Sequence, residues 1–182
     1  MGLKHRTRTR KRVPHRDKQP LVVPIGRNVS WSMDFMHDTL RNKRRFRVLN
    51  VIDDYNRQAV AIDVDFSFPS DAVIRSLERA IHEYGKPLKI RTDNGPEFTC
   101  STFVDWCAAH DIEIQYIQPG KPTQNSFIER FNRTFREDVL DAYLFEDLYE
   151  FRHITDEWQE DYNYFRPHES LNNLSPIKYC GT

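Results

Sequence analysis

The chain has 182 residues, 38% of them hydrophobic, with 27 bases against 27 acids, and a mean hydropathy of −0.74. That length suits one domain. No apolar run nears the roughly 18–20 residues needed to cross a bilayer, so a transmembrane protein is excluded, and none follows the basic N-terminus, so no secretory signal is expected. The three cysteines, Cys100, Cys107 and Cys180, form no CxxC pair. They argue against a disulfide scaffold or a structural zinc site and for a reducing, cytoplasmic setting.

The balanced charge is segregated along the chain. Residues 1–30 hold nine bases and one acid, a net of +8, which leaves 18 bases and 26 acids, a net of −8, in the other 152 residues. A basic arm on an acidic body points to a polyanion partner, with a solvated linker as the plain alternative. Residues 1–28 lack apolar periodicity and carry Pro14, Pro20 and Pro24, so they read as an extended or disordered arm.

From Val29 the pattern is that of an α/β domain. Val29, Trp31, Met33 and Phe35 alternate with Ser30, Ser32, Asp34 and Met36, the period of a strand. Phe46–Asp54 and Gln58–Phe66 read as two further strands joined through Tyr55-Asn56-Arg57 as a hairpin. Ser70 is placed as the N-cap of a helix whose Val73, Leu77, Ala80, Ile81 and Tyr84 share one face, ended by Gly85 and Pro87.

A short strand, Leu88–Thr92, follows and ends at Asp93. A helix over Ser101–His110 is expected to bury Phe103, Val104, Cys107 and Ala108. Ile112–Ile117 is a fifth strand, and Pro119, Gly120 and Pro122 make a loop. One helix is predicted over Thr123–Leu140, with Phe127, Phe131, Phe135 and Val139 inward. The last covers Glu146–Phe165, with Leu148, Phe151, Thr155, Trp158 and Tyr162 at intervals of three and four. Strand–helix alternation in the second half implies parallel pairing there, hence a mixed sheet covered by helices.

Three acids stand out by position. Asp34 lies mid-strand, where a carboxylate is disfavoured. Asp93 ends an apolar strand ahead of Asn94-Gly95, at the carboxyl end of a strand where α/β sheets bind ligands. Glu129 shares a helix side with Asn125, Arg133 and Arg136. Each has a bland explanation: a loop hydrogen bond for Asp34, an Asx turn for Asp93, an i,i+4 pair with Arg133 for Glu129. Together they frame one sheet edge. Clustered carboxylates repel unless a cation sits between them, and hard oxygen ligands suit Mg²⁺ or Mn²⁺.

Between Asp93 and Glu129 lie 35 residues. The segments WSMDF, TDNGPEF and PGKPTQNSFIERFNRTFRED resemble the three acidic motifs of the retroviral-integrase-like DDE recombinases. The ending YNYFRPHESLNNLSPIKY is similar to the C-terminal signature of the IS-three family of bacterial insertion-sequence transposases, in the product of the second reading frame. The resemblance implies an RNase H-like α/β fold, a mixed five-stranded sheet flanked by helices, over residues 29–165. Residues 166–182 form a tail with the family signature.

The resemblance further implies Asp34, Asp93 and Glu129 as catalytic residues holding two Mg²⁺ (or Mn²⁺) ions, with Asp34 bridging. Asn94 and Gly95 would shape the turn presenting Asp93. Arg130, Arg133, Arg136 and Asn125 would face DNA, joined by Arg10, Lys11 and Arg12 of the arm. Asp53 and Asp54 are assigned a structural role in the hairpin. Asp63 and Asp65 are read as solvent-facing, and Glu97 as bonding nearby backbone. Arg166, Pro167 and His168 match the signature, with packing or DNA contact as their role.

The reaction implied is metal-dependent DNA strand cleavage and strand transfer, by a homo-oligomer on DNA, in a bacterial, nucleoid-associated protein. No helix-turn-helix or heptad pattern is visible, so the chain reads as the catalytic part of a longer transposase. The alternatives are an RNase H-like nuclease that only hydrolyses and an inactive, transposase-derived DNA-binding module.

Overall fold

The computed structural model describes residues 22–118 and 122–181, with only the backbone of Pro122 and Thr123. Most of the expected arm, including Arg10, Lys11 and Arg12, lies outside the described residues, as does the Pro119-Gly120 part of the expected loop.

Five strands form one sheet: β1 (Ser30–Thr39), β2 (Arg45–Asp53), β3 (Ala59–Asp65), β4 (Lys89–Thr92) and β5 (Glu113–Tyr116), in the order β3-β2-β1-β4-β5. β1 pairs antiparallel with β2, and β2 with β3, as short connections between neighbours require. β1–β4 and β4–β5 are parallel. The mixed sheet expected from the alternation is therefore the observed one, with β1 at its centre.

Period-two alternation splits the sheet into two apolar faces. Trp31, Met33, Leu49 and Val51 pack under α1 (Ser70–Tyr84), the single turn α2 (Pro96–Thr99) and α3 (Ser101–Ala109). Met36, Phe46, Val48 and Ile52 pack under α4 (Ser126–Phe135) and α5 (Leu148–Tyr164). Asp34 shares the parity of Met36, so it lies on the α4 side.

Aromatic rings knit this second layer. Phe135 is fully buried, with ring centroids of Trp158 at 5.1 Å and Phe151 at 6.3 Å. Replacing Phe135 by Ala should cost about 3–5 kcal/mol, read as a lower urea midpoint with native circular dichroism in buffer. A loss below about 1 kcal/mol would mean that the layer repacks freely.

The edge at β3 is covered by α5. Asn163 accepts the Ala59 N–H and, with Gln159, donates to its carbonyl, while Arg152 donates to the Val64 carbonyl. Covering free backbone groups in this way closes an edge to stray pairing.

Several local expectations need correction. Ser70 is not the N-cap of α1. Pro69 holds that position, and the Ser70 hydroxyl donates to the Glu97 carbonyl instead. In α3, Phe103 and Cys107 are buried, but Val104 and Ala108 are exposed, since a short helix on an open sheet hides only one narrow stripe.

The predicted helix over Thr123–Leu140 is three segments: a 3-10 turn at Pro122–Asn125, α4, and a π-turn at Arg136–Leu140. α5 starts at Leu148, where Asp147 accepts the N–H groups of Tyr149 and Glu150. The Asp147-x-x-Glu150 cap signal was available in the sequence.

Residues 166–181 fold back on this body. His168 bridges to Leu174, and α6 (Pro176–Tyr179) meets the β2–β3 turn, where Asn56 donates to the Pro176 carbonyl and to Cys180 Sγ. Among the described residues, no helix is long and apolar enough to cross a membrane.

Candidate active site

β1 delivers Asp34 from the middle of the sheet. Its parallel register with β4 pairs Ser30 with Lys89 and Ser32 with Arg91, so two further residues set Asp34 level with Asp93. Asp93 leaves β4 in a tight turn, and its Oδ1 accepts the Gly95 N–H at 2.9 Å. A Cβ on Gly95 would stand 3.0 Å from that same oxygen and 3.1 Å from Glu97 Oε2. A side chain at 95 would therefore press on both carboxylates and require them to shift by a few tenths of an ångström. Asn94 donates to the Ile117 carbonyl, tying the turn to the end of β5. Glu129 enters from the first turn of α4 and is exposed, as is Asp93.

Electrostatics tie the three acids together. Burial, aided by the nearby charges of Asp93 and Glu129, pushes the Asp34 carboxyl up to about 6. The Phe35 N–H and the Asn132 amide, which donate to its two oxygens at 2.9 Å each, oppose that rise. The structure thus brings Asp34 within the field of both partners. As their side chains stand, no group of three His, Cys, Asp or Glu among the described residues closes to metal-holding distance.

Asn132 was not singled out from sequence. It donates to Asp34 Oδ2 and accepts from Asn50 Nδ2 at 2.8 Å, and Asn50 lies directly across from Asp34 on β2. The available signals were an Asn inside the apolar run RVLNVID and an Asn three residues after Glu129. Asn132→Ala should move the Asp34 titration above about 6 in the metal-free protein, because a bond favouring the charged form is lost. Carboxyl ¹³C shifts against pH read this midpoint, and an unmoved midpoint would remove Asn132 from the site.

The predicted DNA-facing residues divide. Arg130 and Arg133 are exposed on α4. Arg136 is half committed: it meets Asp38 at 3.5 Å, Asp141 at 3.6 Å and the His37 carbonyl at 3.2 Å. Asn125 is only 5% exposed, which contradicts a free surface contact. It sits in the 3-10 turn, so α-helical spacing does not carry it onto the Glu129 side. No Glu129–Arg133 ion pair forms among the described residues.

The remaining acids have other duties. Glu97 forms an ion pair with Arg47, whose guanidinium lies 3.9 Å over the Phe35 ring, and its carboxylate also accepts its own backbone N–H, the nearby backbone bond expected. Asp53 accepts the N–H groups of Asn28 and Tyr55, and Asp54 accepts from Ser30, Ser32 and Arg91. Asp63 pairs with Arg79 at the surface.

Residues 26–122 match the family described as "Integrase core domain", and residues 110–176 match a second family of the same description. An uncharacterized protein of insertion element IS476 from Xanthomonas euvesicatoria is 41% identical over 178 residues, covering 98% of this chain and 51% of the relative. One of insertion element IS407 from Burkholderia multivorans is 40% identical over 179 residues, covering 98% and 65%. The chain therefore spans about half to two thirds of these relatives.

Among solved structures, an intasome chain of simian T-cell lymphotropic virus superposes with TM-score 0.73 at 19% identity, over 93% of this chain and 61% of that one. The HTLV-2 integrase catalytic core domain, solved in complex with magnesium in a dimeric form, gives 0.65 at 21%, over 79% and 92%. The fold is that of these cores, RNase H-like as the resemblance implied.

Proposed function

Since the chain belongs to the integrase core domain family, matched over residues 26–122, we propose that it is the catalytic core of a DDE transposase that cuts DNA strands and joins them to a target. The observation that supports this most is the convergence of Asp34, Asp93 and Glu129, three acids from separate elements, with Asp34 raised to about 6 by burial and by the other two. Such mutual repulsion is costly in an empty site and is relieved by divalent cations.

The donor set fits that role: three carboxylates, all hard oxygen, suited to Mg²⁺ or Mn²⁺. Asp34, Asp93 and Glu129 are the residues that would hold them. When bound, the ions would supply charge neutralisation at a scissile phosphate and lower the pKa of an attacking oxygen.

The chain's own residues do the rest. Asn132 and the Phe35 N–H hold the Asp34 carboxylate in one orientation, and the Gly95 N–H does so for Asp93. Arg130 and Arg133, exposed beside Glu129, would hold DNA phosphates and set the strand's register. Water is the nucleophile for cutting and a DNA 3′-hydroxyl for joining. Joining two ends to one target calls for more than one copy, and the HTLV-2 core was solved in dimeric and trimeric forms.

The test uses duplex DNA with pre-cut 3′-hydroxyl ends, incubated with the protein and Mg²⁺ or Mn²⁺. Joined products are expected, and Asp93→Asn should abolish them. Cutting without joining would favour a hydrolytic nuclease. Metal-dependent cutting left intact in Asp93→Asn would overturn the site.

A further inference from the structure

A cavity of about 230 Å³ lies on the neighbouring side of α4, between that helix and the returning C-terminal segment. Phe127, Arg130, Phe131 and Thr134 face it from α4 at helical spacing. Arg57 reaches it from the β2–β3 turn, and Arg166 and His168 from the segment after α5. Three guanidiniums from three separate stretches therefore line one small space, with Glu169 exposed among the lining residues as its one acid.

Arg57 is the telling member. It is only 9% exposed, its guanidinium lies 3.5 Å over the Phe127 ring, and its buried Nη1 has no hydrogen-bond partner. The acids that bear on it electrostatically are Asp54 and Asp53. Both are occupied, Asp54 by Arg91 and two serine hydroxyls, Asp53 by two backbone N–H groups.

His168 adds a second orphan, since its buried Nε2 also lacks a partner. Burial, then Arg166, Arg57 and Arg130, hold its imidazole down at about 4, which places the three cations around one ring. Arg166 spends Nη1 on Asp138, and a guanidinium has further donors to offer. An unpaired buried guanidinium N–H such as that of Arg57 is rare and costly unless something accepts from it.

We infer that this cavity binds a phosphate group through Arg57, Arg130, Arg166 and the His168 ring, with Phe127 as the floor under Arg57. A tetrahedral oxyanion accepts from several guanidinium N–H groups at once, where a carboxylate would satisfy fewer. Its position beside the Glu129 helix suits a backbone phosphate of bound DNA, and a free phosphate or nucleotide presents the same chemistry. Only the DNA source rests on the function proposed above.

The experiment follows the His168 ring signals by NMR in the full chain during titration with inorganic phosphate, against sodium chloride at matched ionic strength. A saturable shift with phosphate alone is expected. Arg57→Gln should weaken it about tenfold, the loss of one charge-assisted contact. Should that variant fail to fold, exposed Arg130→Gln gives the same reading.

Displacement of phosphate by a short DNA duplex in metal-free buffer would identify the DNA backbone as the source. Displacement by ADP but not by the duplex would identify a nucleotide. His168 signals that respond to none of phosphate, duplex or ADP would overturn the inference. So would an Arg57→Gln or Arg130→Gln variant that binds phosphate unchanged. The readout needs no strand cutting, so it stands or falls apart from the proposed reaction.

Discussion

With the proposed function, Asp34→Asn should abolish metal-dependent DNA cutting, by about a thousandfold or more for loss of a carboxylate proposed to hold metal, and at the same time raise the melting temperature of the metal-free protein. The two effects share a cause. In the native fold the Asp34 carboxyl titrates near about 6, against an ordinary value of 3.8. A carboxyl raised in the folded state is a liability wherever it is ionised. The penalty is complete above about pH 6, shrinks as pH falls from there toward 3.8, and is gone below. That gap corresponds to at most roughly 3 kcal/mol.

The neutral amide escapes the penalty. It keeps partners too, because the Asn132 and Asn50 amides can each turn over and reverse the direction of their bonds. The expected gain is about 1–3 kcal/mol, or several degrees for a chain of this size. Scanning calorimetry at pH 8 without divalent metal measures it. At pH 4 the advantage should largely vanish. A variant that melts lower than wild type at pH 8 would mean that Asp34 supports the fold rather than straining it.

Arg91→Leu destabilises the fold by about 3–5 kcal/mol. Arg91 Nη1 meets Asp54 Oδ2 at 2.8 Å, with the two side chains 8% and 0% exposed. Asp54 also takes the hydroxyls of Ser30 and Ser32, at 2.8 and 2.6 Å. Burial holds its carboxyl above the ordinary value even so, with Arg91 the strongest influence in the other direction.

Removing the cation leaves a charge sealed from solvent with only two serine hydroxyls to meet it. The network also joins the start of β1, the strand that carries Asp34, to β4, the strand that leads into Asp93. Adding Asp54→Leu to Arg91→Leu should restore more than half of the loss, since the stranded charge goes with it. Urea denaturation of both single variants and the double variant measures the coupling. A single-variant loss under about 1 kcal/mol would show that Asp54 finds water instead.

The strands and long helices were legible because their side chains sort by simple periods: alternate faces of the sheet along β1, one stripe at three to four along α1 and α5. The Asp34, Asp93 and Glu129 candidates were legible for a different reason. An acid mid-strand, an acid ahead of Asn-Gly and an acid on a basic helix side each break a local rule, and rule-breaking concentrates at sites.

What could not be read depends on partners remote in the chain. Asn132 and Asn50 are 82 residues apart yet bonded to each other. Arg47 and Glu97 are 50 apart. The change from 3-10 to α to π winding across Pro122–Leu140 likewise escapes a reading by period alone. Its apolar residues keep nearly helical spacing throughout, so Asn125 was assigned to a side of the helix that it does not share. Arg57 reads in sequence only as a turn residue, because its burial is set by Phe127 and by the returning C-terminal segment.

The central claim is that Asp34, Asp93 and Glu129 close on shared divalent ions. A crystal soaked in Mn²⁺ and measured for anomalous scattering tests it most directly. Anomalous density is expected in contact with an Asp34 oxygen and with oxygens of Asp93 and Glu129. Three carboxylates that remain apart, with manganese bound elsewhere or nowhere, would contradict it.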